Sequence, residues 1–263
     1  MQLDDAYANA PYVPGAETYP SRWSEAAETF RQSLGPRAET GIAYGDTQRQ
    51  VFDHFRAEGA PCGTVVFVHG GYWIKFDRTS WSHLAGGALA AGWDVAMVQY
   101  DLCPDVRIAD ITRQVARAVT TITGHTSGPV SLAGHSAGGH LVSRMTADGV
   151  LPDDVRARVV AVAPISPIAD LRPMLQTSMN NDFQLDLAAA EAESPVLSPA
   201  PKIPLQIWVG ADERPAFLQQ AAALSAAWSV PQTVVAQKNH FNIIDALEDP
   251  SSDITGFLTQ TGA

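Results

Sequence analysis

Cysteine is scarce in this chain: Cys62 and Cys103 are the only two in 263 residues. That is too few for a disulfide framework, and they are not spaced as a metal pair. Both read as small buried side chains. Basic charge is also short, with 17 Lys and Arg against 28 Asp and Glu for a net charge of -11. The deficit excludes a face built for nucleic-acid phosphates or for docking on anionic lipid. No run approaches the roughly 20 apolar residues of a membrane span. The opening MQLDDAYANAPYVPG carries two early aspartates and no apolar stretch of the kind a secretory signal needs. The expectation is a cytoplasmic protein acting on a small molecule. Internal repeats and low-complexity linkers are absent too, so residues 1–263 read as a single domain.

What the chain does have is apolar residues, 46% of the total, in a pattern that changes along its length. Residues 1–40 are polar, carry Pro11, Pro14, Pro20 and Pro36, and hold one helical stretch near Arg22–Leu34, which suits an N-terminal arm or partial cap. From about Gln48 strand and helix signals alternate. Strands are expected at Val51–Arg56, Thr64–Val68, Asp94–Gln99, Pro129–Ala133, Val159–Ala163, Leu205–Val209 and Thr233–Ala236. Helices are expected near Ser82–Ala91, Ile108–Thr121, Ala137–Ala147 and Pro215–Trp228, with a final helix from about Asn242. The run TVVFV has no polar interruption, the mark of a strand buried on both faces. Residues 165–203, rich in proline, polar side chains and short helical pieces, read as an insertion over the active site. Strands and helices alternating at these lengths predict one doubly wound α/β domain, with a mostly parallel sheet and helices on both faces.

Gly134-His135-Ser136-Ala137-Gly138 fits the G-x-S-x-G nucleophile elbow, between the strand PVSLA and an amphipathic helix. The serine of such an elbow sits on a strained strand-to-helix turn, so the residues two before and two after it must be small. The turn also aims a helix N-terminus at the reacting centre, where its N–H groups favour negative charge. His69-Gly70-Gly71 follows TVVFV, where the other half of an oxyanion hole belongs. Gly70, Gly71 and Ala137 are the candidate N–H donors, each worth about 2.7–4 kcal/mol in the transition state. In hydrolases with this elbow the order along the chain is serine, acid, histidine. Of seven histidines only His240 lies beyond the elbow and its helix, after the last expected strand. His69, His135 and His140 read as structural members of the motif loops, and His54, His83 and His125 as surface or packing residues. After Leu205–Val209 the chain offers Asp212 and Glu213 side by side. The spacing of glycine, two residues, then acid selects Glu213, with Asp212 the alternative. His135 and His140 flank the serine but lack a third ligand for zinc, and serine chemistry needs no metal or organic cofactor.

Taken together, HGGYW, VQYDLCPDV, AGHSAGGH, the DL…N…D…SP stretch and NHFNIIDAL resemble the kynurenine formamidase (arylformamidase) branch of the α/β-hydrolases. Ser21-Arg22-Trp23 matches that branch as well, so the resemblance covers nearly the whole chain. Relatives often carry aspartate where this chain has Glu213. The resemblance implies an α/β-hydrolase fold and hydrolysis of N-formyl-kynurenine to kynurenine and formate through a formyl-enzyme. An aryl leaving group needs an aromatic wall. Trp73 is a candidate by its position in the motif, core packing beneath the loop being the other reading; Tyr100 and Phe241 are further candidates. A short-acyl carboxylesterase or thioesterase would use the same machinery, and a catalytically dead ligand-binding receptor would be expected to have lost a triad member. The expected partner is a small-molecule ester or amide, and a homodimer is the commonest closed assembly.

Overall fold

Thr64–Val68 and Asp94–Val98 bury every residue, so the sheet that contains them needs cover on both faces. The computed structural model, which describes residues 2–260, supplies it. Its strands are β1 (Ala38–Ala43), β2 (Val51–Phe55), β3 (Thr64–Val68), β4 (Asp94–Val98), β5 (Val130–His135), β6 (Val159–Ile165), β7 (Ile207–Gly210) and β8 (Gln232–Val235). They form one sheet in the order β1-β2-β4-β3-β5-β6-β7-β8. The β1–β2 and β2–β4 pairs are antiparallel, and the remaining pairs are parallel.

Successive side chains of a strand point to opposite faces, and the core divides accordingly. Val66, Val68, Ala96, Val98, Leu132 and Val162 pack against the helices Ile108–His125, Ala137–Arg144 and Pro215–Trp228. The first of these helices buries Ile108, Ile111, Val115, Val119 and Ile122, the three-to-four spacing of one apolar stripe. Val65, Phe67, Val95, Met97, Ala133 and Ala163 face the other way, against the helix Tyr19–Leu34, Leu84 and Ala85 before the helix Gly86–Ala90, and the C-terminal segment with Ile244 and Leu258. Each such aliphatic side chain contributes about 1.5–3 kcal/mol when fully buried.

The structure differs from the sequence reading in three places. β1 begins at Ala38, inside the stretch read as an arm; its sequence AETGIA has no apolar alternation, because this edge strand buries no residue fully. The final helix is split into a 3-10 turn, Ile243–Glu248, and a helix, Asp253–Leu258, with Pro250 between them removing a backbone donor. Cys103 is buried, but Cys62 is exposed in the loop before β3. Residues 165–203, by contrast, hold the short helical pieces expected of them, namely Arg172–Gln176, Asn180–Phe183, Leu187–Ala192 and Pro195–Leu197. Among the described residues no helix is long and apolar enough to cross a membrane.

The strand order positions the site. The chain leaves β3 for β4 on one side, then crosses back to β5 on the other, so loops diverge at the carboxyl ends of β3 and β5, where open α/β sheets form their ligand crevice. Val68 of β3 pairs with Gly134 of β5, and His135 pairs with Ile165 of β6. Two residues past the first pair, Gly70 and Ser136 emerge side by side.

Candidate active site

Ser136 ends β5 and opens the helix Ala137–Arg144 with φ 56° and ψ -115°. A non-glycine residue in such a region carries strain of about 1–3 kcal/mol. The turn is held from both sides: Ser136 N–H donates to Ile165 O at 2.8 Å, and His140 N–H donates to Ser136 O at 3.0 Å. The motif glycines are required by space. A Cβ on Gly138 would lie 1.9 Å from the Val68 carbonyl oxygen, and one on Gly134 would lie 2.2 Å from the Gly138 carbonyl oxygen.

The loop after β3 approaches Ser136 closely. A Cβ on Gly70 would meet His135 O at 2.9 Å and Ser136 Cβ at 3.1 Å. His69 Nδ1 lies 2.7 Å from Gly70 O, and the His69 ring stacks on Tyr100, whose hydroxyl donates to His69 O at 2.8 Å. Burial lowers the His69 pKa to about 4, so the ring is neutral at pH 7 and Nδ1–H is the donor to Gly70 O. In a trans peptide the N–H points opposite to the C=O, so this bond fixes the Gly71 N–H away from the His69 ring. Gly71, Tyr72 and Trp73 then run with φ 110°, 53° and 57°, and the N–H groups of Ile74 and Lys75 both donate to Gly71 O at 3.0 Å. On the other side, Ala137 is the first residue of its helix, where an N–H has no intrahelical acceptor.

Glu213 and His240 come from the loops after β7 and β8. His240 Nδ1 and Glu213 Oε2 are 2.7 Å apart, and both residues are buried. Glu213 Oε1 accepts from Gly210 N–H at 2.8 Å and from the Ser166 hydroxyl, so the carboxylate is satisfied without water. Its engagement of Nδ1 makes Nε2 the free nitrogen of a ring wedged between Phe217 and His135, with centroids at 4.2 and 4.6 Å. His135 donates to, or accepts from, no acid; its Nε2 sits 2.9 Å from His240 O, and burial drives its pKa well below the ordinary value. It therefore braces the His240 loop as a neutral ring. Asp212 is exposed, and its backbone N–H bonds Lys238 O. Of the two adjacent carboxylates, Glu213 is the one that reaches the histidine.

Ser136 and His240 lie at the base of a cavity of about 720 Å³, within the usual range for small-molecule sites. Its aromatic lining is Tyr7, Trp23, Tyr72, Phe76, Trp81 and Phe241. Trp73 is absent from it. The Trp73 side chain is fully buried, edge-on to His140 and Phe183 with centroids at 5.1 and 5.5 Å, so the core reading replaces the wall reading. Tyr100 is likewise fully buried, whereas Phe241 does line the cavity. The N-terminal arm closes one side: Tyr72 donates to Tyr7 O at 2.5 Å, Gln220 donates to the Tyr7 hydroxyl at 2.9 Å, and Arg214 pairs with Asp5 at 2.7 Å. From residues 165–203, Ser178 and Met179 reach the cavity. Sequence reasoning missed Ser166 and the lining aromatics Tyr7, Trp23, Tyr72, Phe76 and Trp81. Trp23 and Tyr72 had a signal, as members of the Ser21-Arg22-Trp23 match and of HGGYW. A hollow of about 300 Å³ beside His54 and Asp94 sits at the opposite, amino-terminal ends of the parallel strands. Among the described residues no cluster of three or more His, Cys, Asp or Glu side chains is placed to hold a metal ion.

Comparison with known proteins agrees with this fold. Residues 65–238 match the family model of the alpha/beta hydrolase fold. A kynurenine formamidase of Danio rerio is 27% identical over 89% of this chain and 84% of its own length. One of Salmo salar is 29% identical over 82% of this chain and 79% of its own length. The crystal structure of a provisionally named thioesterase from Silicibacter sp. TM1040 is 53% identical with a TM-score of 0.98, covering 99% of this chain and 100% of that one. The chain belongs to the α/β-hydrolase fold family, as a hydrolase whose sequence resembles kynurenine formamidases.

Proposed function

We propose that this hydrolase cleaves an aryl formamide, N-formyl-kynurenine, to kynurenine and formate, with Ser136 as nucleophile, His240 as base and Glu213 as the acid that orients it. The observation that carries the reading is the aromatic cavity lined by Ser136 and by His240, which is itself paired with Glu213. A formyl group needs almost no acyl space beside the oxyanion loop, so the cavity is available to a flat aryl leaving group. The similarity to kynurenine formamidases along most of the chain supports the same substrate.

On this reading the reaction runs in two halves. Ser136 Oγ attacks the formyl carbon as its proton passes to His240 Nε2. The imidazolium that forms is stabilised by the Glu213 carboxylate, and the oxyanion by the N–H groups of Gly70, Gly71 and Ala137. Collapse breaks the C–N bond, and His240 returns the proton to the departing arylamine nitrogen. Water, deprotonated by His240, then attacks the formyl ester, releasing formate and restoring Ser136.

A second reading, hydrolysis of a short-acyl ester or thioester, draws on the thioesterase label of the 53% identical relative. A receptor without activity is disfavoured, since serine, histidine and acid are all present. The test compares kcat/KM on N-formyl-kynurenine, p-nitrophenyl acetate and a short-acyl thioester, for the wild type and Ser136→Ala. Preference for the formamide, lost in the variant, is expected. Turnover of only the ester or thioester would move the assignment to the second reading, and retained activity in Ser136→Ala would remove the nucleophile.

A further inference from the structure

Charge is distributed unevenly around the cavity over Ser136. Among its lining residues Lys75 is the only lysine or arginine, in a chain that has just three lysines, Lys75, Lys202 and Lys238, and a net charge of -11. Among the described residues no hydrogen bond or ion pair engages the Lys75 ammonium. Its backbone, by contrast, is fixed. Lys75 N–H donates to Gly71 O at 3.0 Å, and the next carbonyl, that of Phe76, accepts from Arg49 at 2.7 Å. The lysine is therefore anchored to the same loop that presents Gly70 and Gly71 to Ser136. Two carboxylates also line the cavity: Asp4, which accepts from Ser178 N–H, and Glu17, which is exposed.

An acidic protein repels negative charge, so the carboxylate of a zwitterionic amino-acid substrate needs a local cation at its binding site. Lysine suits this task as a point charge on a flexible stem. The reaction itself says which half of the substrate carries the carboxylate. Formyl transfer leaves only a hydrogen on the acyl side of the reacting carbon, so any group that reaches Lys75 belongs to the leaving amine.

We propose that Lys75 binds a carboxylate on the leaving-group half of the substrate, making the enzyme selective for aryl formamides that carry an amino-acid carboxylate over those of the same shape in which that carboxylate is amidated. The inference rests on the aryl formamide reading above. Lys75 determines specificity; it does not touch the reacting atoms.

The experiment uses two probes that differ only in that charge: N-formyl-kynurenine, and its α-carboxamide, in which the carboxylate is replaced by a neutral amide. Arylamine release is followed for both with wild type, Lys75→Ala and Lys75→Arg. The wild type prefers the carboxylate about tenfold in kcat/KM, the effect of one charge-assisted hydrogen bond in partial solvent. The preference is expressed mainly in KM and weakens as salt is raised. It collapses toward unity in Lys75→Ala and is largely retained in Lys75→Arg. Turnover of both probes with the same ratio in wild type and Lys75→Ala would overturn the role of Lys75 while leaving the formamide reading intact. Turnover of p-nitrophenyl acetate but of neither formamide would overturn that reading, and this inference with it.

Discussion

Glu213 is where a single substitution most sharply separates the proposed mechanism from a merely structural role. Its carboxylate accepts from three buried donors: His240 Nδ1–H, Gly210 N–H and the Ser166 hydroxyl. In Glu213→Ala all three lose their acceptor. The Ser166 hydroxyl can rotate, but the other two donors are fixed, and each stranded donor costs about 1–3 kcal/mol. The loss of stability is thus about 2–6 kcal/mol, enough to threaten the fold. Glu213→Gln is the cleaner perturbation, because it keeps the volume and one acceptor oxygen, and it should cost less than about 3 kcal/mol. Its chemical effect is nevertheless large. Without the carboxylate the imidazole is neither held in the tautomer that frees Nε2 nor stabilised once protonated, and kcat should fall about 10⁴-fold, equivalent to about 5.4 kcal/mol of barrier. Asp212, exposed one residue earlier, serves as the internal control. Asp212→Ala should stay within about 0.5 kcal/mol in stability and within about twofold in rate. Initial rates on p-nitrophenyl acetate, paired with urea unfolding, measure both quantities. A loss in Asp212→Ala as large as that in Glu213→Gln would refute the assignment.

Two further outcomes follow from packing and from burial. Gly138→Ala would put a methyl 1.9 Å from Val68 O, so β3 and the elbow helix must separate; a cost of at least about 3 kcal/mol is expected in urea unfolding, and a near-native midpoint would contradict the close approach described here. Stability should also fall in mild acid. Burial holds His69 at about 4, His140 at about 3 and His135 well below its ordinary value, so these rings stay neutral in the native state while the unfolded chain takes up protons near pH 6.5. Their contribution is complete above that pH and is lost as pH falls toward 4, with a limiting slope of about 1.4 kcal/mol per pH unit for each ring. Urea midpoints at pH 7 and pH 5 that coincide would show that these histidines are not buried as neutral groups.

How much of this was legible in the sequence depended on whether local rules govern the residue concerned. Thr64–Val68 and Asp94–Val98 were readable because strands buried on both faces need a continuous apolar run, here Val65–Val68 and Val95–Val98. Pro215–Trp228 was readable to the residue, with Pro215 at the first helical position. Ser136 was readable because its turn demands small residues at fixed offsets, a steric requirement that can be seen without knowing the fold. Glu213 over Asp212 was readable from spacing alone, since three residues past the end of β7 bring the side chain back onto Gly210 N–H.

The cavity wall obeyed no such rule. Its aromatic residues come from the arm, from the loop after β3 and from the loop after β8, and they meet only because the strand order brings those segments to one end of the sheet. Trp73 and Tyr72 show the limit at its smallest scale. The two are adjacent, and the choice between them turns on which way each side chain points. In a strand the alternation of faces would decide it, and in a helix the 3.6-residue period would. Gly71, Tyr72 and Trp73 all have positive φ, a conformation in which neither rule applies. The curl sends Trp73 into the core beside His140 and turns Tyr72 toward the arm, where burial keeps its hydroxyl protonated and able to donate to Tyr7 O. The same curl that hides the expected wall residue thus provides the contact that fastens the arm over the cavity, and it depends on a backbone conformation for which the side chains of Tyr72 and Trp73 have no preference of their own.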